Sequence, residues 1–286
     1  MVLKTRDPRA VELGKQIRDF LAAQGIRLFV SREAAEAFGM DGGVSDTALS
    51  KSVDIMLVLG GDGTLLGAAR QVAGERCPIL GINLGSLGFL TEISRENAIE
   101  TLRRVISGDY ETEARALLDV EVIRDGREIH HSLALNDAVI SRRGVARLLQ
   151  VNVTIDERPV TSFACDGVIV ASPTGSTAYG LAAGGPIVHP AIAALVLVPI
   201  CPHMLANRPL IVPDTKVVEL QATNAPHGDI VVSLDGQVSI DIHPTDIVRV
   251  TKADKRINLV KNRAEGYFDV LRNKLGWAPT RKITGT

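Results

Sequence analysis

One aspartate in the first third of the chain stands among glycines, in the sequence GGDGT from Gly60 to Thr64. The apolar run VDIMLVLG leads into it, and LLGAARQVAG, with helical spacing, follows it. Glycines between a strand and a helix let a ligand approach the backbone, and the N–H groups at a helix start bind phosphate. A carboxylate beside phosphates is costly unless it binds a metal or accepts a proton. Asp62 is therefore a candidate base for phosphoryl transfer, and an Asp-Gly turn former is the alternative.

The sequence of this segment does not match either of two familiar phosphate-binding motifs. The sequence contains no GxxxxGK[ST], and GDGTLLG spaces its glycines as G-x-G-x-x-x-G where the dinucleotide fingerprint has G-x-G-x-x-G. Asn83, near the place where that fingerprint expects a ribose-binding acid, is neutral. A hydride-transfer enzyme of the Rossmann kind is therefore disfavoured. We expect the strand to end at Leu59 and the helix to begin near Thr64, with the Thr64 hydroxyl as N-cap.

Two further polar clusters interrupt apolar runs. SPTGSTAYG follows the strand-like GVIVA, and its hydroxyls at Thr174, Ser176 and Thr177 either donate to phosphate or ribose or cap a short helix. LALNDAVISR places Asn136 and Asp137 in an otherwise apolar run, where a polar pair must have partners or bind a ligand. Asparagine and aspartate carry the donors and acceptors that hold a ribose or an adenine edge, so we favour the ligand.

Composition and charge limit the classes of partner. Among 286 residues, 32 Lys and Arg nearly balance 33 Asp and Glu, and the formal net charge of -1 argues against nucleic acid. No apolar run approaches the roughly 20 residues that span a bilayer, and the N-terminus lacks the apolar core of a signal peptide. We expect a cytoplasmic protein that binds neither nucleic acid nor membrane.

Metal and redox chemistry by the side chains is not indicated. The three cysteines, Cys77, Cys165 and Cys201, lie far apart among apolar or small residues and are expected to be buried, reduced thiols. The sequence has no HExxH motif, so a structural zinc site is not expected, and no residue is assigned as a metal ligand.

The elements that must position these residues fall into two patterns. Over residues 1–110, helices alternate with buried strands, including IRLFVS, VDIMLVLG and CPILGIN, which is typical of a parallel sheet covered by helices. Little sequence precedes KTRDP, so the first strand is expected to be almost absent. Residues 111–261 alternate polar and apolar side chains, with a hairpin signal at Asp125-Gly126, and predict a β-rich domain.

The predicted fold class is therefore an α/β, Rossmann-like N-terminal domain and a β-rich, sandwich-like C-terminal domain. NRAEGYFDVLRNKLGW is helical in pattern, so residues 262–286 are expected to return to the first domain and to end in a frayed tail, PTRKITGT.

Taken together, these motifs resemble the bacterial members of the ATP-dependent NAD kinase family. The resemblance rests on GGDGT at Gly60, GINLGSLGFL at Gly81, the Asn136-Asp137 pair and CDGVIVASPTGSTAYGLAAGGPIVHP at Cys165, with LVPICPHMLANRPLIVP and the closing KLGW. GGDGT alone also occurs in diacylglycerol and sphingosine kinases and, in shorter form, in phosphofructokinases. The elements in this order cover nearly the whole chain and are specific.

The resemblance implies a role for each matching residue. Asp62 would face the 2′-hydroxyl of the adenosine ribose of NAD as base or orienting acceptor, Asn136 and Asp137 would hold NAD, and Asp166 would meet its nicotinamide end across a subunit interface. The remaining residues that the resemblance places around the dinucleotide are Gly61, Gly63, Phe89, Thr174, Thr177, Ala178 and Tyr179. The LDGQ loop at Leu234, His203 and Arg208 receive no firm role, and the loop is a weak site candidate.

The implied reaction is the transfer of phosphoryl from ATP to NAD, giving NADP and ADP. It implies a divalent metal, Mg²⁺ or Mn²⁺, on the phosphates, and a homodimer or homotetramer with sites at subunit interfaces. Two alternatives stay open on sequence alone. One is a lipid kinase that uses the same GGDGT loop, although no polybasic or interfacial helix is evident. The other is a non-catalytic sensor of NADP, which would have no use for a base.

Overall fold

The computed structural model describes residues 1–85, 88–143, 148–224, 229–263 and 266–277. The chain divides into two compact units. The first consists of Met1–Ala114 and the segment that begins at Asn258, and the second is Arg115–Ile257. Among the described residues, no helix has the length and apolar character needed to cross a bilayer.

The first unit is built on short parallel strands. Its strands are β1 (Val2–Leu3), β2 (Met56–Leu59), β3 (Ile79–Asn83) and β4 (Ile93–Ser94), with β2 between β1 and β3 and with β4 beside β3. Every residue of β2 and β3 is buried, as their continuous apolar sequences predict. The two-residue β1 agrees with the expectation of a very short first strand.

The helices that accompany these strands in the N-terminal part of the unit are α1 (Pro8–Ala23), α2 (Arg32–Phe38), α3 (Asp46–Leu49), α4 (Asp62–Val72) and α5 (Ala98–Ile106). The side chain of Asp7 caps α1 by accepting from the N–H of Arg9, and Pro8 occupies the first turn, where its missing N–H is not needed. Leu13 and Ile17, one turn apart on α1, are both buried and share a core with Leu59 and Ile82 of the sheet. An α/β fold follows from this arrangement.

Two local predictions in this unit are wrong. IRLFVS does not form a strand: within it only Ser31 makes an isolated bridge, to Val44. The segment bonds to neighbouring backbone at only a few points, with Ser31 donating to the Met1 carbonyl and Val30 accepting the N–H of Val44, so its β-propensity does not produce a ladder. Helix α4 begins at Asp62 rather than near Thr64, and its N-cap is Gly61. A Cβ on Gly60 would lie 2.4 Å from the Thr64 Oγ1, so glycine is required where the Thr64 side chain packs.

The second unit is a sandwich of antiparallel sheets. In chain order the elements that lie wholly or mostly within it are β5 (Thr112–Arg124), β6 (Arg127–Ala134), β7 (Asp137–Arg142), β8 (Leu149–Ile155), β9 (Arg158–Cys165), β10 (Gly167–Ala171), α6 (Tyr179–Ala182), β11 (Ala194–Ile200), β12 (Leu210–Pro213), β13 (Val218–Thr223), β14 (Ile230–Leu234), β15 (Val238–Ile242) and β16 (Ile247–Val260). The first three residues of β5 and the last three of β16 belong to the first unit. One sheet has the order β12-β11-β10-β7-β14-β15, and the other contains β16-β13-β8-β9 with β5 and β6.

Alternate residues of both sheets form one buried core. It includes Val151 and Val153 from β8, Val168 and Val170 from β10, and Leu220 from β13. The period of two in these strands is the pattern that the sequence shows, because one face of each strand packs inward. The β-rich, sandwich-like class is confirmed.

A last helix, α7 (Tyr267–Leu275), belongs to the first unit. It begins with a box in which the Asp269 carboxylate accepts the N–H of Gly266, and it ends at Gly276 in a left-handed conformation. The segment before it is fixed within the same unit, since the Asn262 side chain donates to the Glu92 carbonyl at 3.0 Å. The return of this helix to the N-terminal fold is confirmed, and PTRKITGT lies outside the described residues.

Candidate functional site

The Asp62 carboxylate holds a loop of its own unit. Its Oδ1 accepts the N–H groups of Leu90 and Thr91, each at 3.1 Å, and its Oδ2 accepts the N–H of Phe89 at 2.9 Å. The Thr91 hydroxyl adds a fourth donor to Oδ1 at 3.1 Å. Since hydrogen bonds to an ionised acceptor are each worth roughly 1.5–3 kcal/mol, this carboxylate fixes the loop and is itself fixed.

A buried relay sets the direction of the Thr91 hydroxyl. The Asn83 Oδ1 accepts the N–H of Gly85 at 2.8 Å, which leaves the Asn83 Nδ2 to donate to the Thr91 Oγ1 at 2.8 Å. The single hydroxyl proton of Thr91 is then directed to Asp62. Asn83 is thus an internal structural residue, in agreement with the exclusion of a ribose-binding acid at this position.

Gly88 permits this contact by having no side chain. A Cβ at Gly88 would lie 1.9 Å from the Asp62 Oδ1, a distance that no side chain can tolerate. Phe89, which follows it, is only half-buried. The structure therefore brings Asp62 and Phe89 together, as two residues of the predicted site. Gly61 and Gly63 flank Asp62, and a Cβ on Gly61 would meet nothing within 4 Å, so open space adjoins the start of α4.

The Asn136-Asp137 pair lies at a bend between β6 and β7, where the backbone makes no ladder hydrogen bonds at Leu135 and Asn136. The Asp235 carboxylate supplies them: its Oδ2 accepts the N–H of Leu135 at 3.0 Å, and its Oδ1 accepts those of Asn136 and Asp137 at 2.7 and 3.3 Å. A buried backbone N–H without a partner is costly, so Asp235 is required for this bend.

Ser172 satisfies the carbonyl groups of the same bend. Its hydroxyl donates to the Leu135 carbonyl at 2.6 Å, and its N–H donates to the Asn136 carbonyl at 2.9 Å. Gly175 approaches so closely that a Cβ would lie 2.0 Å from the Asn136 carbonyl oxygen. The SPTGST segment and the Asn136-Asp137 pair, distant in sequence, therefore form one cluster in the second unit.

Hydroxyl groups of the SPTGST segment differ in what they offer a ligand. The Ser176 side chain is buried and bonds to the Pro173 carbonyl and to both backbone groups of Val188, which favours the structural alternative for this hydroxyl. The Thr177 hydroxyl donates to the Thr174 carbonyl and keeps its acceptor capacity. Thr174 and Thr177 bound a 3₁₀ turn, and after Ala178 the half-exposed Tyr179 begins α6.

Asp137 is the most perturbed acid of the second unit. Its side chain is 4% exposed, and none of the described residues donates a hydrogen bond to its carboxyl group. Burial, and then the neighbouring Asp235, raise the pKa of Asp137 from 3.8 to about 7. A buried acid without a protein partner is a typical ligand-binding group.

Asp166 lies apart from this cluster within one chain. It is exposed and precedes β10, whose far end, Ala171, pairs with Asp137. Five residue steps separate Asp166 from Ala171, or about 16 Å at a rise of 3.3 Å per residue. Asp166 is therefore not brought together with Asn136 and Asp137 by the second unit alone.

Two of the three cysteines are buried and one is exposed. Cys77 and Cys165 are buried, and burial raises the pKa of each thiol to about 11, which makes them inert. The prediction of burial is wrong for Cys201, which follows β11 in an exposed segment with a φ of 45°. Over the described ranges, no group of three or more His, Cys, Asp or Glu side chains could hold a metal ion.

Sequence reasoning missed three residues of these clusters: Asn83 as part of a relay, Thr91, and Asp235 as a backbone acceptor. The signal for Asp235 was present, since LDGQ combines a hairpin turn with an acid at the end of a buried strand. Its contact partner is 100 residues away in sequence, so only the fold could identify it.

Family models match both units of the chain. A model described as the ATP-NAD kinase N-terminal domain matches residues 1–110, and one described as the ATP-NAD kinase C-terminal domain matches residues 135–262. An NAD kinase of Syntrophotalea carbinolica is 43% identical over 275 residues, with 96% of each chain covered. An NAD kinase of Geotalea daltonii is 41% identical over 276 residues, with the same coverage.

Two solved structures are also similar. Yeast NADH kinase in complex with NADH matches with a TM-score of 0.90 and 25% identity, covering 99% of this chain and 89% of that one. An NAD kinase from Archaeoglobus fulgidus in complex with ATP matches with a TM-score of 0.72 and 28% identity, covering 96% of both chains. The motifs, the fold and these relatives agree.

The raised pKa of Asp137 predicts that the free energy of unfolding depends on pH. Because the folded state holds this proton more tightly than the unfolded chain, its stabilisation is complete below about pH 4 and is lost as the pH rises through 7. Asparagine resembles the protonated acid and does not titrate, so Asp137→Asn should keep its stability as the pH rises. The unfolding free energy of the variant, relative to the parent, should rise by roughly 2–4 kcal/mol between pH 4 and pH 8, measured by urea denaturation. Parallel pH profiles for the two proteins would contradict this.

Proposed function

The chain belongs to the ATP-NAD kinase family and has NAD kinase activity, and we propose that Asp62 receives the ribose hydroxyl that attacks ATP. The reaction transfers the γ-phosphoryl group to the 2′-oxygen of the adenosine ribose, giving NADP and ADP. Phosphoryl transfer asks the protein mainly for position, charge neutralisation and one proton acceptor. The observation that carries the proposal is the fixed carboxylate of Asp62 at the start of α4.

The two oxygens of Asp62 accept different numbers of hydrogen bonds, and this difference indicates which of them can react. Oδ1 already accepts three donors, whereas Oδ2 accepts only the N–H of Phe89 among the described residues. Oδ2 therefore has more free acceptor capacity than Oδ1 and is the atom that a ribose hydroxyl can meet. The hydrogen bonds from the Phe89–Thr91 loop hold this oxygen in one position, which a base or orienting acceptor requires.

The phosphates are proposed to lie at the glycines around Asp62. Gly61 leaves open space beside the first turn of α4, and the helix N-terminus favours the negative charge of ATP. The divalent metal, Mg²⁺ or Mn²⁺, is proposed to arrive with ATP as part of the substrate. The described residues contain no protein cage for it, and Mg²⁺ commonly keeps phosphate and water ligands.

NAD is proposed to bind the cluster of the second unit. Asn136 and Asp137 offer a side-chain amide and a buried acid for ribose and adenine groups. Four residues of the neighbouring turn complete the proposed adenine and ribose region: Thr174, Thr177, Ala178 and Tyr179. The support for this placement is the Asp137 carboxyl group, which is buried and has no donor among the described residues.

A homodimer or homotetramer is proposed because Asp166 is far from the other NAD-binding residues of its own chain. A second copy could bring its Asp166 to the nicotinamide end of the ligand. The edge of the sheet at β12 supports this assembly: Leu205 is 90% exposed and Met204 is 58% exposed just before the strand, and Ile211 within it is 48% exposed. Exposed apolar side chains grouped at a sheet edge are typical of an interface.

The cytoplasm is proposed as the location, since NAD and ATP are both cytoplasmic metabolites. The three cysteines support a reducing compartment, because all of them are free thiols and two are buried. The lipid kinase and the NADP sensor are less consistent with the family match, and the sensor also leaves the fixed Asp62 carboxylate without a purpose.

The reaction is tested by incubating the full chain with ATP, Mg²⁺ and NAD, and by coupling the product to an NADP-specific dehydrogenase. We expect an absorbance rise that requires both ATP and NAD. NAD binding without turnover would support the sensor, and phosphorylation of diacylglycerol in its place would support the lipid kinase.

The role of Asp62 is tested by Asp62→Asn. The amide oxygen can take the place of Oδ1 and keep three of the four loop hydrogen bonds, whereas the NH₂ group replaces the acceptor Oδ2. We expect kcat to fall by about 10² to 10⁴, the usual contribution of a positioned base, with Kd for NAD changed by less than about threefold.

Thr91→Val is the matched control, because it removes one hydrogen bond from the same loop and leaves the carboxylate intact. Its kcat should fall by less than about tenfold. A near-normal kcat in Asp62→Asn would exclude Asp62 as the base, and equal losses in both variants would assign it a purely structural role.

Sedimentation equilibrium tests the assembly. The parent chain should sediment as a dimer or tetramer at micromolar concentration, and Leu205→Glu should shift it toward monomer, because a charge in an apolar interface is costly. A monomeric parent chain would contradict the proposal.

A further inference from the structure

The acid of the LDGQ loop, Asp235, lies behind the proposed NAD-binding pair. It directly follows β14, opposite the start of β7, since the last residue of β14, Leu234, pairs with Ala138. Its carboxylate accepts three consecutive backbone N–H groups, and its own N–H donates to the Asp137 carbonyl at 3.0 Å. The bend at Leu135–Asp137 is therefore held from this side by four hydrogen bonds to one residue.

We propose that Asp235 is a positioning residue for NAD binding, which fixes this bend so that the side chains of Asn136 and Asp137 meet the dinucleotide in one arrangement. The inference rests on the proposed NAD site and adds a residue that does not itself touch the ligand. A bend with free N–H groups would have several conformations, and ordering it upon binding would reduce the affinity.

The charge of Asp235 has a second consequence for the ligand. Two carboxyl groups in adjacent register, both less than 10% exposed, cannot both ionise without a large cost. Asp235 has three N–H donors to stabilise its negative charge, whereas Asp137 has none for its carboxyl group among the described residues. Below about pH 7 the proton therefore remains on Asp137, and this acid then offers the dinucleotide a donor rather than a second negative charge.

The surroundings of Asp137 contain no compensating cation in the described part of the chain. Its pairing partner on β10 is Ala171, and the nearest carbonyl groups of the bend bond to the uncharged Ser172. Asp235 is the charged group that acts on it. Affinity for NAD should thus be highest below about pH 7, where Asp137 is protonated, and should decline as the pH rises above it.

Two substitutions at Asp235 separate backbone geometry from charge. Asp235 has a φ of 52° in an Asp-Gly turn, a conformation that asparagine and glycine both tolerate. Asp235→Asn keeps an acceptor for Asn136 and Asp137 but loses the one for Leu135, and Asp235→Gly loses all three. Asp125→Asn and Asp125→Gly are matched controls, because Asp125 occupies the exposed Asp-Gly turn between β5 and β6 with a φ of 50°.

The measurement is calorimetric titration of the full chain with NAD between about pH 5.5 and pH 8.5, together with the melting temperature of each variant. We expect Kd to rise by about tenfold in Asp235→Asn and more in Asp235→Gly, with KM for ATP changed by less than about twofold. Removal of the like charge should move the pH at which affinity declines to a lower value. Both controls should bind as the parent does.

Asp137→Asn and Asp137→Ala complete the test. The asparagine retains a donor, so we expect it to bind within about threefold of the parent and to lose the pH dependence, whereas alanine should bind weakly. Normal binding by Asp235→Gly would overturn the positioning role, and an unchanged pH profile in Asp235→Asn would overturn the effect of its charge, provided that Asp137→Ala still binds weakly. Normal binding by Asp137→Ala would instead show that the proposed NAD site itself is wrong.

Discussion

A carboxylate that accepts three consecutive backbone N–H groups is the interaction on which both functional clusters depend. Asp62 holds Phe89–Thr91 in the first unit, and Asp235 holds Leu135–Asp137 in the second. In each case the held segment makes few regular ladder bonds, so its N–H groups need an acceptor from elsewhere. An ionised carboxylate is the strongest acceptor that a side chain offers, and its two oxygens have space for several donors.

The two carboxylates differ in whether they can still accept a hydrogen bond from a substrate. In Asp62, Oδ2 has a place for one more donor, and the half-buried side chain adjoins open space at Gly61. The same group can therefore hold a loop and meet a substrate hydroxyl. Asp235 is buried, and its consequence is indirect: it shapes the backbone and raises the pKa of its neighbour Asp137. Glycine makes the first contact possible, because any side chain at Gly88 would displace the Asp62 carboxylate.

Much of the fold was predictable, because it depends on periodicity. The buried runs MLVL and ILGIN became β2 and β3, and alternation in segments such as LQVNVTI became the sandwich. Prediction failed where pairing partners decide the outcome: IRLFVS has strand-forming residues but only one bridged position. The start of α4 was misplaced by two residues, since Thr64 packs on Gly60 rather than capping the helix.

The candidate sites were predictable as motifs but not as contacts. GGDGT and Asn136-Asp137 are visible as polar residues in apolar surroundings, whereas the partners of Asp62 lie 27 to 29 residues away and those of Asp235 lie 98 to 100 residues away. Ser176 is the opposite case. Its hydroxyl looks available for a ligand in the sequence, but in the fold it is hydrogen-bonded to Val188. A hydroxyl in a motif therefore carries information about binding only after its local partners are counted.

The different partners of Asp137 and Asp235 explain why two acids can share one buried corner. Burial disfavours the charge of Asp137, whose carboxyl group has no donor among the described residues, whereas the Asp235 carboxyl group accepts three backbone N–H groups. The backbone thus decides which acid keeps the proton, and the fold itself, rather than a cation, sets the protonation of the residue proposed to face the ligand. A ligand with several negative phosphates benefits from this arrangement, since a neutral acid can donate to it without repulsion.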